Sequence, residues 1–124
     1  MDIQEEIRGQ VVVLAPSGAM ISGPDVAEFH EKVQKLAAEG IVNVVVNFAE
    51  VKWFGSAMLG VMSASIAALW NLGGDLRLTG VSSQIESIIH VTKLAEIFKV
   101  WNSVDLAIES FTDAAPSQSA SSED

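Results

Sequence analysis

Cysteine is absent from this chain of 124 residues. Without cysteine there can be no disulfide framework, no thiol nucleophile and no thiolate metal site. The absence suits a reducing compartment, and we expect a cytoplasmic protein. Since 49% of the residues are hydrophobic, a chain of this length can bury a core that folds without disulfide bonds.

Basic residues are scarce, with 7 lysines and arginines against 16 acidic residues and a net charge of −9. An acidic surface repels phosphate backbones and anionic lipid headgroups, so we expect no direct nucleic-acid partner. The first residues, 1–6, contain neither a basic region nor an apolar run. They therefore do not resemble a signal peptide.

The chain is also poor in residues that carry chemistry. Its two histidines, His30 and His90, fall on separate predicted helices and do not show the spacing of a metal-ligand cluster. Gly73-Gly74 lacks the rest of a phosphate-loop pattern and is more typical of a helix end. We therefore predict no metal site, no cofactor and no catalytic residues.

Charge is missing altogether between Trp53 and Gly74. The length of this stretch is close to the roughly 20 residues of a membrane-spanning helix. However, the stretch contains small and polar residues such as Gly55, Gly60 and Asn71, and many of its apolar residues are alanine. We therefore expect no membrane insertion.

Strand patterns alternate with helix patterns along residues 1–112. Strands are predicted at 3–7, 11–15, 43–48, 76–79 and 98–101, and helices begin at Pro24, at Ser56, at a capping box over 83–86 and after Asn102 or Ser103. This alternation predicts one α/β domain over residues 1–112. Residues 113–124 are rich in serine, alanine and acids, which predicts a disordered tail.

Ser56 lies where a predicted strand leads into a predicted helix, and we expect it to be the N-cap. Its ordinary role there would be to accept a hydrogen bond from a backbone N–H in the first turn. A functional role uses the same geometry, because a phosphate on Ser56 would meet free N–H groups and the positive end of the helix dipole. It would also present about 1.5 to 2 negative charges to a docked partner.

The helix that follows Ser56 has one apolar stripe and an opposite face without charge. The stripe consists of Leu59, Met62, Ile66 and Leu69, and the opposite face of Gly60, Ala64, Ala67 and Asn71, with Met58, Val61 and Ala68 on the flank. A surface helix normally carries charge on its outer face. This helix is therefore either a docking surface for another protein or buried within its own domain.

The segment from Val51 to Val61 resembles the signature of STAS domains, the anti-sigma factor antagonists, in which a strand leads to an Asp-Ser-Ser-Gly-Leu-Gly-type loop. Ser56 matches the first serine, which is the phosphorylated one, and Leu59-Gly60 match the Leu-Gly pair. The resemblance extends over 3–111 and includes Gly18, 73–74, 80–82 and 92–94. Gly55, Ala57 and Met58 replace the family's usual aspartate, second serine and glycine.

The resemblance implies a single STAS-like α/β domain with a mixed sheet and helices packed mainly on one face. It also implies a partner-switching protein without enzymatic activity. Such a protein binds an anti-sigma factor that is a serine kinase, leaves it when Ser56 is phosphorylated, and is reset by a PP2C-type phosphatase. We expect the partner to contact Trp53, Gly55, Ser56, Ala57, Met58, Gly60, Val61, Ala64 and Ala67.

Two alternatives remain open at this point. The altered loop around Ser56 is compatible with a STAS scaffold, or a subunit of a transport complex, that has no phosphorylation switch. The helix N-terminus at Ser56 is also compatible with a module that binds a small ligand or a nucleotide.

Overall fold

The computed structural model describes residues 2–18, 24–51 and 54–112. Its elements are β1 (Asp2–Arg8), β2 (Val11–Ser17), α1 (Pro24–Ala38), β3 (Asn43–Asn47), α2 (Ser56–Asn71), β4 (Asp75–Thr79), α3 (Ser83–Val91), a 3-10 turn (Leu94–Glu96), β5 (Val100–Trp101) and α4 (Val104–Thr112). The predicted tail, 113–124, and the predicted contact residue Trp53 lie outside the described residues.

The strands form one five-stranded sheet in the order β1-β2-β3-β4-β5. The first two strands are antiparallel and form a hairpin, whose turn contains Gly9 at a φ of +66°. The pairs from β2 to β5 are parallel, and helices connect these strands. The sheet is therefore mixed, as predicted.

Alternation along the central strands divides the core between the two faces of the sheet. Val12, Leu14, Val44 and Val46 face a large cluster that includes the buried residues of α1, α2 and α3. Val11, Val13 and Val45 face a small cluster with Ala107 of α4. Three of the four α-helices in the described parts of the chain thus cover one face, which confirms the prediction that helices pack mainly on one side.

The start of α3 differs by one residue from the predicted capping box over 83–86. Ser82 is the N-cap, and its Oγ accepts a hydrogen bond of 3.2 Å from the N–H of Ile85. Sequence spacing does not distinguish two adjacent serines, since either can serve as a cap. At α4 the prediction of Asn102 or Ser103 resolves to Ser103, whose Oγ accepts from the N–H of Leu106 at 3.1 Å.

Among the helices in the described parts of the chain, none is long and apolar enough to cross a membrane.

The parallel register brings the carboxyl ends of β2, β3 and β4 to the same edge of the sheet. The segments that leave these ends are Gly18, residues 48–51 and 54–55 before α2, and the turn 80–82 that leads to α3. In open α/β sheets, functional groups concentrate at this edge. The edge therefore positions the candidate site.

Candidate functional site

Ser56 is the first residue of α2 and is exposed at the carboxyl edge of the sheet. The expectation that it is the N-cap is wrong by one residue. Gly55 takes that position, with an extended backbone (φ −90°, ψ 176°) and no side chain that could cap the helix. The Ser56 side chain therefore lies beside the first turn, where early backbone N–H groups lack partners within the helix.

Backbone hydrogen bonds fasten the loop before Ser56 to two neighbouring strands. Gly18 N–H donates to the carbonyl of Glu50 at 3.2 Å, and Phe48 N–H donates to the carbonyl of Thr79 at 2.8 Å. The ring centroids of Phe48 and Phe54 are 5.5 Å apart, and both rings are buried. The segment that leads to Ser56 is thus held by packing at its described positions.

Gly80 lies close to this loop at the end of β4. Its φ is +72°, and a Cβ on this residue would lie 2.5 Å from Oδ1 of Asn47 and 2.8 Å from the backbone nitrogen of Ala49. Oδ1 of Asn47 accepts the N–H of Ala49 at 3.0 Å, so a side chain at residue 80 would disrupt that bond. Gly80 belongs to the family pattern in the sequence, but this contact was not predicted, and a glycine directly after a strand is the only sequence signal for it.

The outer face of α2 is exposed where the sequence predicted a face without charge. Ala57, Gly60, Ala64 and Ala67 are exposed, while Gly55 and Val61 are half-buried. The predicted inner stripe, Leu59, Met62, Ile66 and Leu69, is buried. We name the exposed residues Ser56, Ala57, Gly60, Ala64 and Ala67 the α2 face.

Met58 does not belong to this face, although it was predicted to contact a partner. Its side chain has no exposed surface and lies in the large core cluster. The buried arc of α2 is wider than the predicted stripe because the helix packs against α1 as well as against the sheet. Met58 and Ser65 are buried within that wider arc.

The electrostatics of α2 are unusual for an exposed helix. It has no acidic residue in its first turn and no basic residue in its last. At α3, by contrast, Glu86 lies in the first turn and His90 in the last. The N-terminus of α2 is therefore a site where the helix dipole is not offset by a carboxylate, so a new negative charge would be locally favourable.

An open groove of about 310 Å³ lies between α1 and the C-terminal half of α2. Most of its wall is apolar, and His30, Gln34 and Ser65 are its polar lining residues. The Nδ1 of His30 lies 3.5 Å from Oγ of Ser65. The groove was not predicted from the sequence, because the His30 and Ser65 walls are 35 residues apart in the chain.

The described residues contain no group of three or more histidine, aspartate or glutamate side chains that could hold a metal ion. His30 is half-buried beside Ser65, and His90 is exposed on α3.

Comparisons with known proteins agree with this geometry. The family model for the STAS domain matches residues 2–107. No curated protein sequence matches the chain.

Several solved structures share the fold. The protein TM1081 from Thermotoga maritima superimposes with a TM-score of 0.79 at 21% identity, covering 86% of this chain and 92% of that one. An anti-sigma factor antagonist from Mycobacterium paratuberculosis superimposes at 0.77 with 20% identity, covering 90% and 94%. The phosphorylated form of the Bacillus cell fate determinant SpoIIAA superimposes at 0.70 with 17% identity, covering 87% and 97%.

At these identities the structural likeness establishes the fold, and the family model extends over most of the sequence. Together with the mixed sheet and the helix that begins at Ser56, they place this chain in the STAS domain family.

Proposed function

We propose that this chain is a bacterial, cytoplasmic anti-sigma factor antagonist that works by partner switching. In its unmodified form it binds an anti-sigma factor that is also a serine kinase. Phosphorylation of Ser56 releases it, and a PP2C-type phosphatase restores the binding form. In this role the chain catalyses nothing itself.

The observation that carries the proposal is the position of Ser56. It is exposed, it begins α2, and no acidic residue lies in the first turn beside it. A phosphate at this position is stabilised by the helix dipole and by free N–H groups. The domain can therefore accept the modification without unfolding.

The α2 face explains how a single phosphate could control binding. The face is built from small side chains, and the helix has no formal charge of its own. A partner that covers the α2 face must remove water from the groups at the edge of that face. A phosphate at Ser56 would have to lose part of its hydration there without a compensating cation from α2, which costs binding free energy.

The STAS fold and its likeness to structures such as SpoIIAA in a phosphorylated form support this assignment. The replacements at Gly55 and Met58 are compatible with this assignment. Met58 is buried and Gly55 supplies a backbone cap, so both replacements act within the helix start and leave Ser56 accessible.

The test is phosphorylation of the full chain by the serine-kinase anti-sigma factors of its own organism, with Mg-ATP, followed by mass spectrometry. Ser83 provides a matched control, because it is also an exposed first residue of a helix at the same edge of the sheet. We expect Ser56→Ala to abolish the phosphate and Ser83→Ala to leave it unchanged. We also expect the phosphorylated chain to lose binding to the kinase.

Phosphate on another residue would overturn the assignment of Ser56. Stable binding to a partner with no phosphorylation by any of these kinases would favour the STAS scaffold instead. A rise in melting temperature with a nucleotide alone would favour the ligand-binding module.

A further inference from the structure

The first strand has an open edge. β1 is the outermost strand of the sheet and pairs with β2 alone among the described strands. The two-residue turn makes Arg8 and Val11 a hydrogen-bonded pair of the antiparallel ladder. Since such pairs alternate along the ladder, the even-numbered residues bond to β2. The N–H and C=O groups of Ile3, Glu5 and Ile7 therefore point away from the sheet.

The side chains of β1 divide between the two faces of the sheet. Ile3 packs against the large core cluster and Glu5 pairs with Lys32 of α1, so the odd-numbered residues face α1. Arg8 pairs with Asp105 of α4, so the even-numbered residues face α4. Ile7 belongs to the α1 side, yet 55% of its surface is exposed.

We propose that this edge is a self-association surface, at which β1 of one copy pairs antiparallel with β1 of a second copy around a two-fold axis at Glu5. In this register Asp2 lies opposite Arg8 of the second copy, and Ile3 lies opposite Ile7. Gln4 lies opposite Glu6. The hydrogen-bonded pairs are those of the odd-numbered residues, whose backbone groups already point outward.

The order of residues in Asp2–Arg8 makes the strand complementary to itself when reversed. Opposite charges meet at both ends of the contact, and an apolar pair lies inside each end. Directly opposed pairs of either kind stabilise a sheet. Ile7, exposed in the single chain, becomes covered by Ile3 of the second copy.

At the centre of the contact two Glu5 side chains face each other, which would be unfavourable for isolated carboxylates. Here each Glu5 Oε1 is 2.7 Å from Nζ of its own Lys32. The central row therefore contains two carboxylates and two ammonium groups. The two lysines offset the repulsion between the glutamates.

The contact is limited to one seven-residue strand and is smaller than the roughly 1,600 Å² of a standard interface. The dimer is accordingly weak and forms at high protein concentration. α2 packs on α1 and β4, away from β1, so both copies keep the α2 face open. The inference does not depend on the proposed function.

The register can be tested by cross-linking, because the natural chain contains no cysteine. In Glu5→Cys the two new thiols face each other, with Cα atoms about 5.5 Å apart, within the range of a disulfide. In Gln4→Cys the thiols are diagonal neighbours about 7–8 Å apart, which is too far. Under a glutathione redox buffer we expect a covalent dimer from Glu5→Cys and monomer from Gln4→Cys. Equal cross-linking of both variants, or of neither, would overturn the proposal.

Charge reversal provides a second test, read by sedimentation velocity across a roughly hundredfold range of concentration. Asp2→Arg puts arginines opposite each other, and Arg8→Asp does the same with aspartates, so each variant alone should dimerise about tenfold more weakly. An equimolar mixture should restore dimerisation, since opposite charges then meet again. A natural chain that stays monomeric at every concentration, or a mixture no better than its components, would overturn the proposal.

Discussion

The indole Nε1 of Trp70 donates a hydrogen bond of 2.7 Å to Oδ1 of Asp75, which joins the last turn of α2 to the first residue of β4. The same Oδ1 accepts the N–H of Leu76 at 2.8 Å, and Oδ2 lies 3.2 Å from Nε of Arg77. The Arg77 guanidinium stacks over the Phe111 ring of α4 at 4.0 Å. One carboxylate thus connects helices on the two faces of the sheet.

Asp75→Ala should destabilise the domain by about 1–2 kcal/mol, because it removes the shared acceptor of these hydrogen bonds. Asp75→Asn keeps an oxygen for Trp70 and should cost less. The measurement is urea unfolding. A double-mutant cycle with Trp70→Phe should give a coupling free energy above about 0.5 kcal/mol, and additive effects of the two changes would show that the Trp70–Asp75 bond contributes nothing to stability.

Ser56→Asp should stabilise the free domain by about 0.3–1 kcal/mol at low ionic strength, because α2 has no acidic residue in its first turn. Ser83→Asp is the control. α3 already has Glu86 in its first turn, so a second carboxylate there should gain less. The free energies of unfolding of the two variants are compared with that of the natural chain. A loss of stability in Ser56→Asp alone would contradict the geometry of the helix start.

Ala67→Glu should separate binding from folding. Ala67 is exposed on the α2 face, so the change should alter stability by no more than about 0.5 kcal/mol. In a complex the new carboxylate would be desolvated without a counter-charge, which should cost several kcal/mol of affinity. Urea unfolding measures the stability, and titration against the anti-sigma factor kinase that binds the natural chain measures the affinity.

Ile66→Glu is the matched control on the same helix, since Ile66 is only 2% exposed. Burying a carboxylate there should unfold the domain. If Ala67→Glu is as unstable as Ile66→Glu, the α2 face belongs to the core. If Ala67→Glu changes neither stability nor affinity, the partner docks on another surface.

Two glycines should respond in opposite directions to the same change. Gly80→Ala should destabilise by about 1–3 kcal/mol, because φ is +72° and the Cβ would meet Asn47 and Ala49. Gly60 has open space around a Cβ and lies within α2, so Gly60→Ala should stabilise by about 0.5–1 kcal/mol. Because Gly60 belongs to the α2 face, the same variant should still weaken partner binding. A Gly80→Ala variant that is more stable than the natural chain would show that Asn47 and Ala49 can move away from the new Cβ at little cost.

Local patterns were sufficient to predict most of the elements. The runs of valine in β2 and β3, the apolar stripe of α2 and the choice of Asn102 or Ser103 as the cap of α4 all depend on neighbours a few residues away. The helix α2 begins at Ser56 as predicted, but its N-cap was misplaced by one residue. Gly55 and Ser56 are both acceptable caps, and only the extended backbone of Gly55 decides between them.

Contacts between segments that lie far apart in the chain could not be predicted from the sequence. The burial of Met58 depends on how α1 lies against α2. The pairing of His30 with Ser65, and the approach of Gly80 to Asn47, require two elements to be placed in space first. The serine motif therefore predicted a candidate site, while the contacts that surround and support Ser56 became visible only in the fold.

The two faces of the sheet differ in how well they tolerate substitutions and insertions. The small cluster under α4 contains four buried residues, Val11, Val13, Val45 and Ala107, whereas the cluster on the other face joins α1, α2 and α3 to the strands. A substitution beneath α4 disturbs few neighbours, so its cost stays local. Sequence drift should therefore accumulate fastest in α4, and an inserted segment or a fused domain should be tolerated best on that side, far from the helix that carries Ser56.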